Sequence, residues 1–396
     1  MSELIQKNDN RATIRWKLLT GASALALISY VSATATAKAD DADRPTLWIE
    51  LGGDVDLMQG LAHPFTADFM SIIPTPDVYK QDSLTSTQRP PRFTFGGNAK
   101  ITFQPEDSDW IFSAGIRYGR SHSNRHIHHQ SAAPTAVFTF YFAYYHTNYQ
   151  ITNKFARQMF ADTRMRFDES HAVLDFQAGK DVGLGLFGRD GTSTLNAGVR
   201  FAQFRTRETL NIYARPNIQP DAVYHTLFSG YLSVPYLFPN FHVYGLEAGA
   251  SRSFQGVGPS ISWNASAPLA GNEQSGALTF DWGIDAAVLF GKQKAKVHHA
   301  TQGYHYFVTN PGIHSNIGHY DKTLDTGNVS DRSRSVTVPH HGGFAALSWH
   351  SQHAKVSLGY RYDAFLNAMD TGIDARKTSN LTFNGPYASI SIGLGD

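Results

Sequence analysis

Hydrophobic and polar residues alternate one by one along much of this chain, which is the pattern of β-strands with two different faces. In the run 278–290, for example, Phe280 and Trp282 alternate with Thr279 and Asp281. Ten runs of this kind are clear: 46–58, 92–103, 109–119, 169–180, 194–205, 254–265, 277–291, 341–350, 354–365 and 384–394. The pattern therefore predicts an all-β fold.

The length of the runs and the positions of their aromatic residues favour a membrane barrel over a soluble β-sandwich. Runs such as 93–103 and 278–290 reach the ~9–11 residues that a tilted strand needs to cross a bilayer, whereas soluble strands usually have about 5–6. Trp110 and Tyr118 stand at the two ends of one apolar face. Outer-membrane barrels place aromatic girdles at both interfaces in this way. A soluble jelly roll or sandwich is the alternative.

The strand count is predicted as twelve, with ten or fourteen as alternatives, because bacterial barrels have even numbers. The two extra strands come from 241–251, which alternates well, and from 134–150, which is aromatic on both faces. Connections between runs alternate between short and long, which is typical of an antiparallel up-and-down barrel with both termini in the periplasm. The long connections, predicted as external loops, are 60–92, 119–135, 206–240, 292–339 and 367–381.

One short connection carries a motif of another kind of protein. Gly183, Gly185 and Gly188 match the G-x-G-x-x-G spacing of dinucleotide-binding loops. Such a loop has to open a helix, whose N-terminus holds the phosphates. Here both flanks, 172–179 and 195–201, alternate with period two. We therefore predict a β-hairpin, whose glycines serve a short periplasmic turn.

The N-terminal residues resemble a secretory signal peptide. Basic residues between positions 11 and 17 precede an apolar stretch at 18–31, and small residues follow up to Ala39. This order predicts export and cleavage, with residues 1–39 as signal peptide and 40–396 as barrel. A membrane anchor helix is the alternative.

Composition and motifs exclude several classes of function. The chain has no cysteine, which rules out disulfides, zinc–thiolate sites and thiol nucleophiles. A formal net charge of +1 gives no reason to expect a nucleic-acid partner. G-x-S-x-G, H-E-x-x-H and Walker motifs are missing from the sequence, so we expect no enzyme and assign no catalytic residue and no cofactor. A membrane-embedded hydrolase built from scattered residues is the alternative.

Histidine is abundant, with 18 in the chain, and such clusters can bind zinc, copper or nickel. The groups are His122, His126, His128 and His129, then the pairs His298–His299 and His340–His341. The first group and the first pair fall in predicted long loops without a carboxylate close in sequence. We interpret them as polar loop residues and assign no metal site.

Charged residues stand on the polar faces of the predicted strands. On the lipid face at mid-membrane, Arg or Lys costs ~2–4 kcal/mol, so a membrane barrel turns these residues inward. The lumen-lining candidates are Glu50, Asp54, Lys100, Arg117, Asp175, Arg200, Asp281, Asp285, Lys355, Arg361 and Asp363, and the same assignment places Asp56 and Glu247 inside. A charged, water-filled lumen would set ion selectivity. The alternative is a plugged lumen whose charges pair.

Five stretches occur in this order: VLDFQAGKDVGLG, LNAGVRFAQF, FQGVGPSISWNA, LGYRYDAFLN and NGPYASISIGL. Together they resemble the Legionella-type pore-forming major outer-membrane protein family, over roughly residues 46–394. The resemblance implies an outer-membrane channel and carries over no catalytic residue. One departure is the ending Gly393-Leu394-Gly395-Asp396, since many outer-membrane barrels end in an aromatic residue that the assembly machinery reads.

These observations predict a porin-like channel in the cell outer membrane, which passes ions or small hydrophilic solutes with a weak preference for cations. The expected partners are outer-membrane lipids, the barrel-assembly machinery and those solutes, with a homo-oligomer as an open alternative. Two other functions stay open: a plugged barrel that acts as a structural protein or as an adhesin through 292–339, and a hydrolase.

Overall fold

The computed structural model describes thirteen β-strands. They are β1 (Leu47–Gln59), β2 (Phe93–Phe103), β3 (Trp110–Gln130), β4 (Thr135–Phe142), β5 (Thr147–Lys154), β6 (Phe160–Asp181), β7 (Thr192–Arg215), β8 (Gln219–Leu227), β9 (Leu232–Asn272), β10 (Gly276–Gly312), β11 (Ser315–Ser351), β12 (Ala354–Asp370) and β13 (Thr378–Leu394). The described residues are 46–60, 93–106, 108–130, 135–142, 147–154, 159–182, 192–215, 218–227, 232–272, 276–312, 315–351 and 353–394. The predicted signal peptide and the glycines at 183–188 lie outside these ranges. Among the residues described, no helix is long and apolar enough to cross a membrane.

Ten of these strands form a closed antiparallel ring. Their order is β10-β11-β12-β13-β1-β2-β3-β6-β7-β9, and β9 pairs with β10 to close the ring. The first and last strands meet along a seam that begins at the pair Leu47 and Leu394. All ten clear runs of the sequence lie in the ring, so the prediction of an all-β, antiparallel up-and-down barrel is confirmed.

The ring holds ten strands among the described residues, which is the lower end of the predicted range and not the expected twelve. The stretch 241–251 continues into 254–265, and both belong to the single strand β9. The stretch 134–150 lies mostly in a separate hairpin of β4 and β5. β8 pairs only with the first part of β9. The two extra strands predicted for the ring are therefore wrong.

The two ends of the barrel differ. Strand pairing places Leu47, Leu394 and the connections after Phe103, Asp181 and Asn272 at one end. At the other end several strands run on well beyond the ring. In outer-membrane barrels the end with short turns faces the periplasm and the end with long connections faces outward.

A belt of apolar side chains surrounds the ring near the turn end, and every ring strand contributes to it. Its members include Leu51, Phe95, Phe112, Phe176, Val199, Ile261, Ile284, Leu347, Leu358 and Ile390, which are between 46 and 70 % exposed. The residues next to them along each strand point inward. Large apolar side chains lose hydrophobic free energy when they face water, so a belt of this extent is explained by contact with lipid.

Beyond the belt the same strands carry their apolar side chains on the opposite face. On β9, Val257 and Ile261 point outward, whereas Phe254, Ala250 and Leu246 point inward and are buried. Successive residues of a strand keep alternating between its two sides throughout. The surroundings of the strand change instead. Apolar residues face outward where the strand lies in lipid and inward where it lies in water. The reversal therefore marks the outer limit of the belt.

We call the portion beyond this limit the β-extension. It comprises 120–130, 160–170, 205–215, 241–255, 291–312 and 315–338. Its inner face has a core of its own, where Leu210, Ile212, Leu246 and Val297 pack together with Ile373 from the segment between β12 and β13.

Three of the predicted external loops are wrong, because 119–135, 206–240 and 292–339 lie largely in strands of the β-extension and in β8. The outward faces of these strands are so polar that their sequence resembles that of a loop. The assignment of Glu247 to the lumen is also wrong, since this residue is exposed on the outer side of β9. Beyond the belt the barrel is surrounded by water, so the polar face of a strand is its outer face. The rule that polar residues face the lumen therefore applies only within the belt.

Candidate functional site: the barrel interior

Arg200, on β7, is the centre of a charged network inside the ring, and its side chain is only 8 % exposed. Its Nε lies 2.6 Å from Oδ1 of Asp175 and its Nη2 lies 3.1 Å from Oδ2 of the same carboxylate. Its Nη1 donates to Oδ2 of Asp285 at 2.7 Å and to Nδ1 of His340 at 2.8 Å. One guanidinium therefore ties together residues of β6, β10 and β11, and such charge-assisted bonds are the stronger kind.

His340 continues this network across the interior. Its Nε2 lies 3.1 Å from Oδ1 of Asp363. The other oxygen of this carboxylate, Oδ2, accepts a 2.6 Å hydrogen bond from Nη1 of Arg117. A guanidinium can only donate, so Nδ1 of His340 accepts from Arg200 and Nε2–H is left to donate to Asp363. Arg117 is on β3 and Asp363 on β12, with three strands between them in the ring. The chain of contacts thus spans much of the lumen.

The same network contains a group of metal-ligand type. Asp285, His340 and Asp363 offer ligand atoms that all lie within 4.8 Å of one another. The guanidinium of Arg200 already donates to Asp285 and His340, while Arg117 neutralises Asp363. The carboxylates are therefore compensated by cations of the protein itself, which leaves the geometry better suited to an internal salt-bridge network than to a metal ion.

A second ion pair lies nearer the turn end. Nζ of Lys355 is 2.6 Å from Oδ2 of Asp281, and Ser266 and Ser348 donate hydrogen bonds to the same carboxylate at 2.6 Å and 2.5 Å. This carboxylate is 8 % exposed and has four donors, since Thr279 also donates a 3.2 Å hydrogen bond to it. These contacts fix the Asp281 carboxylate as a structural anion in the barrel wall.

Two glycines give room to a third polar group. Gly96 and Gly119 stand between Asp54 of β1 and His171 of β6 in one row of strand pairs. A Cβ atom on Gly96 would lie 2.3 Å from Oδ1 of Asp54, and one on Gly119 would lie 2.3 Å from Cε1 of His171. His171 binds Glu169 through Nδ1 at 3.0 Å, whereas its buried Nε2 and Oδ1 of Asp54 have no hydrogen-bond partner among the described residues.

Aromatic rings from opposite walls meet above the charged network. The ring centroid of Phe204 lies 4.5 Å from that of Phe365, 5.8 Å from that of Phe383 and 5.9 Å from that of Phe254. Phe204 is on β7 and Phe383 on β13, and four strands stand between them in either direction around the ring. Together with Met58, Leu289, Val338, Met369 and Leu381 they form a buried apolar cluster, which we call the aromatic layer. At this level side chains from opposite walls of the barrel are in contact.

The structure places all eleven lumen-lining candidates at inward-facing positions of the ring. Five of them, Arg117, Asp175, Arg200, Asp285 and Asp363, share the first network, and Asp281 and Lys355 form the second pair. The remaining four, Glu50, Asp54, Lys100 and Arg361, belong to neither. Arg361 stacks over Tyr387 at 5.0 Å, and Glu50 accepts a 3.4 Å hydrogen bond from Asn98.

Sequence reasoning missed His340 and the aromatic layer. When the alternation of the run 341–350 is extended by one residue, His340 falls on the inward face. The pattern indicates this face but not the residues that His340 contacts. The histidines predicted to lie in loops, at 122–129 and 298–299, are on the strands β3 and β10. His122 lies 2.6 Å from Asp168 and His126 also contacts a carboxylate, Asp162, because β6 brings acidic residues alongside β3.

Comparison with known proteins gives similarities of overall strand arrangement only. No protein-family model and no curated protein matches the chain. Among solved structures, the outer membrane protease OmpT from Escherichia coli is 10% identical with a TM-score of 0.34, covering 91% of this chain and 99% of that one. The transport unit of the autotransporter AIDA-I from Escherichia coli is 8% identical with a TM-score of 0.23, covering 91% and 94%. The toluene transporter TodX from Pseudomonas putida is 9% identical with a TM-score of 0.19, covering 90% of each. The chain is a closed antiparallel barrel with an apolar outer belt, and its function has to be sought in its own residues.

Proposed function

We propose that this chain is an outer-membrane barrel whose lumen is closed by its own side chains, and that its function is carried out by the β-extension at the cell surface, as a binding or structural surface. The observation that carries this proposal is the contact between Phe204 and Phe383 from opposite walls. A barrel for passive diffusion needs a continuous aqueous path. Barrels of about eight strands are narrow enough for side chains to fill, and a ring of ten is not much wider.

The charged network adds a second barrier beneath the aromatic layer. Arg200, His340, Asp363 and Arg117 form a continuous chain of hydrogen bonds, and each charged group in it is paired. A hydrated ion that crossed this level would have to separate buried ion pairs, which costs several kcal/mol per uncompensated charge. This pairing is the plugged-lumen alternative of the sequence analysis.

The β-extension supports a role outside the membrane. Residues 291–312 of β10 alone cover roughly 70 Å at ~3.3 Å per residue, far more than crossing a bilayer requires. Near its far end, Ile317 and Tyr320 are 46 and 57 % exposed, and Val329, which pairs with His298 farther back along the hairpin, is 69 % exposed. Exposed apolar side chains on a water-facing hairpin are suited to contact with another molecule.

Recording in planar bilayers tests the closed lumen. The refolded protein should insert without a steady current, whereas a stable open-channel current would overturn this part of the proposal. The surface role is tested by shortening the hairpin of β10 and β11 between the paired residues Ala300 and Gly327. Cells with the shortened protein should keep a folded barrel in the outer membrane and lose attachment to a host-cell layer, and unchanged attachment would contradict the role.

A second candidate is the weakly cation-preferring channel predicted from the sequence. The observation that favours it is the density of charged side chains on the inward faces, which would suit a polar conduit. In this case the bilayer recording would show a current whose reversal potential mildly favours cations, and the preference would grow when Arg200 or Arg361 is neutralised. Screening over a Debye length of ~8 Å at physiological salt keeps such a preference weak.

Two further parts of the proposal rest on the sequence. Membership of the Legionella-type family is supported by the ordered stretches named above. A role without catalysis is supported by the lack of enzyme motifs in the sequence. Assaying the detergent-solubilised protein on phospholipids tests the latter, since turnover that depends on His171 or His340 would overturn it.

A further inference from the structure

Basic side chains follow directly where the apolar belt ends on the outer face. On β3, Arg120 comes two positions after Tyr118, and on β10, Lys292 comes two positions after Phe290. On β7, Arg205 is the next basic residue outward from Phe201. We call the exposed group the basic collar: Arg120, Arg205, Arg207, Lys292, Lys294 and Lys296.

Strand register brings these residues close together. Arg120, Arg205 and Lys294 stand in one row of strand pairs, separated only by Ser170 and Ser253. Arg207 and Lys296 stand in the next row of the outer face with Ser251 between them, and their other cross-strand neighbours are the carboxylates Asp168 and Asp331. Small hydroxyl residues between the cations leave the outer surface open to a ligand from outside.

Four residues of the collar, Arg120, Arg205, Lys292 and Lys294, have no carboxylate opposite them on a neighbouring strand within the part of the chain that the structure describes. None of the six collar residues forms an ion pair with a carboxylate there. Arg164 and Arg166, on the same outer surface but farther from the belt, pair with Asp162 and Asp168 at 3.6 Å and 3.1 Å. The collar cations stand on alternate strands and carry one sign of charge, which gives this part of the outer surface a positive potential that attracts an external anion.

A recess beside the collar joins apolar and cationic walls. It has a volume of about 860 Å³ and is lined by Phe290, Lys292, Arg334 and Arg376, among others. Phe290 is also the last large apolar residue of the belt on β10 and is 57 % exposed. A molecule that lies along the belt would therefore bring its polar end to these cations.

We propose that the basic collar binds the phosphate groups of a phosphorylated lipid of the outer leaflet, whose acyl chains cover the belt beneath it. The inference rests on the outer-membrane placement proposed above, which puts the β-extension outside. Only a ligand that is both acylated and anionic matches an apolar surface that ends at uncompensated cations. Arg and Lys are the side chains that recognise phosphate, and each adds about 1 kcal/mol, or about fivefold in affinity, near an anionic membrane surface.

The test uses the full folded chain in mild detergent and bisphosphorylated lipid A as the probe. Wild-type protein should unfold at a higher temperature as this lipid is added, and dephosphorylated lipid A should have little effect. Arg205→Gln/Lys294→Gln should need about 25-fold more lipid A for the same rise. The matched control Arg164→Gln/Arg166→Gln removes two charges from the same outer surface and should behave like the wild type.

Three results would overturn the proposal. They are equal stabilisation by the dephosphorylated lipid, equal affinity of the collar variant, and equal stabilisation by inorganic phosphate without acyl chains, which would mean a free-anion site. Flotation with bilayers separates this inference from the proposed function. If the protein does not float with bilayers, its proposed placement in the membrane is wrong. If it floats equally well whether or not the lipid is phosphorylated, only the proposed phosphate binding by the basic collar is wrong.

Discussion

Arg117 and Asp363 are 246 residues apart in the chain, yet Nη1 of the arginine lies 2.6 Å from Oδ2 of the aspartate inside the barrel. The two side chains are only 11 and 5 % exposed. Asp363 also contacts His340, so one carboxylate holds two groups from different walls. The pair links the β3 side of the ring to the β12 side.

Removing Asp363 is expected to destabilise the barrel strongly, because it leaves the guanidinium of Arg117 buried without its partner. Asp363→Ala should lower the free energy of unfolding by about 3–5 kcal/mol, measured by urea unfolding in detergent. Asp109→Ala is the control, since it removes an exposed pair with Lys180 and should cost at most about 1 kcal/mol. Equal losses in the two variants would mean that the buried pair is not important for stability.

Phe204 is expected to be the most costly single truncation in the aromatic layer, because its ring contacts three others. Phe204→Ala should lower the free energy of unfolding by about 3–5 kcal/mol through lost burial and the cavity left behind. Leu358→Ala on the lipid face should cost less, since its side chain is 66 % exposed and packs on little protein. The losses from Phe204→Ala and Phe383→Ala should also be non-additive, as expected for residues in contact. Strict additivity would contradict the cross-barrel contact.

The topology can be checked by cysteine labelling, because the natural chain has no cysteine. A cysteine at Lys294 or Asp325 should react with a membrane-impermeant thiol reagent on intact cells, since both positions belong to the β-extension. A cysteine at Asp109, at the turn end, should react only after the outer membrane is permeabilised. A cysteine at Ser389, which is 7 % exposed inside the ring, should react slowly in both conditions. Labelling of Asp109→Cys on intact cells would mean that the barrel has the opposite orientation in the membrane.

Acidification is expected to release the segment between β12 and β13 from the β-extension. Asp374 accepts a 3.0 Å hydrogen bond from His299, and this bond, with a second from Asn328, holds the pKa of Asp374 below its usual value. A depressed carboxyl pKa contributes stability above the unfolded pKa of ~3.9, and this contribution is lost as the pH falls through the folded pKa. The protection of residues 371–377 against hydrogen exchange, corrected for the intrinsic pH dependence of amide exchange, should therefore fall below about pH 4.

The control variants for this release are Asp374→Ala and Asp321→Ala. Asp374→Ala should show fast exchange in 371–377 already at neutral pH. Asp321→Ala, on β11 near the tip of the hairpin, should keep the wild-type pH profile. Protection factors of residues 371–377 that do not change between pH 3 and pH 7 in the wild type would contradict a role for the carboxylate.

The sequence predicts the ring well because alternation is enough to define a strand and its two faces. Arg117, Arg200 and Asp363 are assigned to the inward face from their neighbours in sequence. Which of them touch could not be predicted, since period two gives the face of a residue and not its partner across the barrel. The proposed closure of the lumen depends on such partners, for example on the contact of Phe204 with Phe383.

Glu247 shows the second limit of the sequence. Its neighbours Leu246 and Ala248 look like a lipid-facing set, but they line the inner core of the β-extension. An alternating pattern states that the two faces differ and does not state which face meets lipid and which meets water. The same ambiguity made the strands around Lys294 resemble a loop.

The seam between β1 and β13 has a consequence for how the barrel is made. Leu47 pairs with Leu394, so the first and last strands of the ring are joined only after the entire chain is available. Until then both edges carry free backbone donors and acceptors, which are templates for pairing with other chains. Contacts this distant in sequence also form slowly. The hairpin of β10 and β11, whose partners are close in sequence, can form early, whereas closure of the ring is the late step and the one most exposed to aggregation.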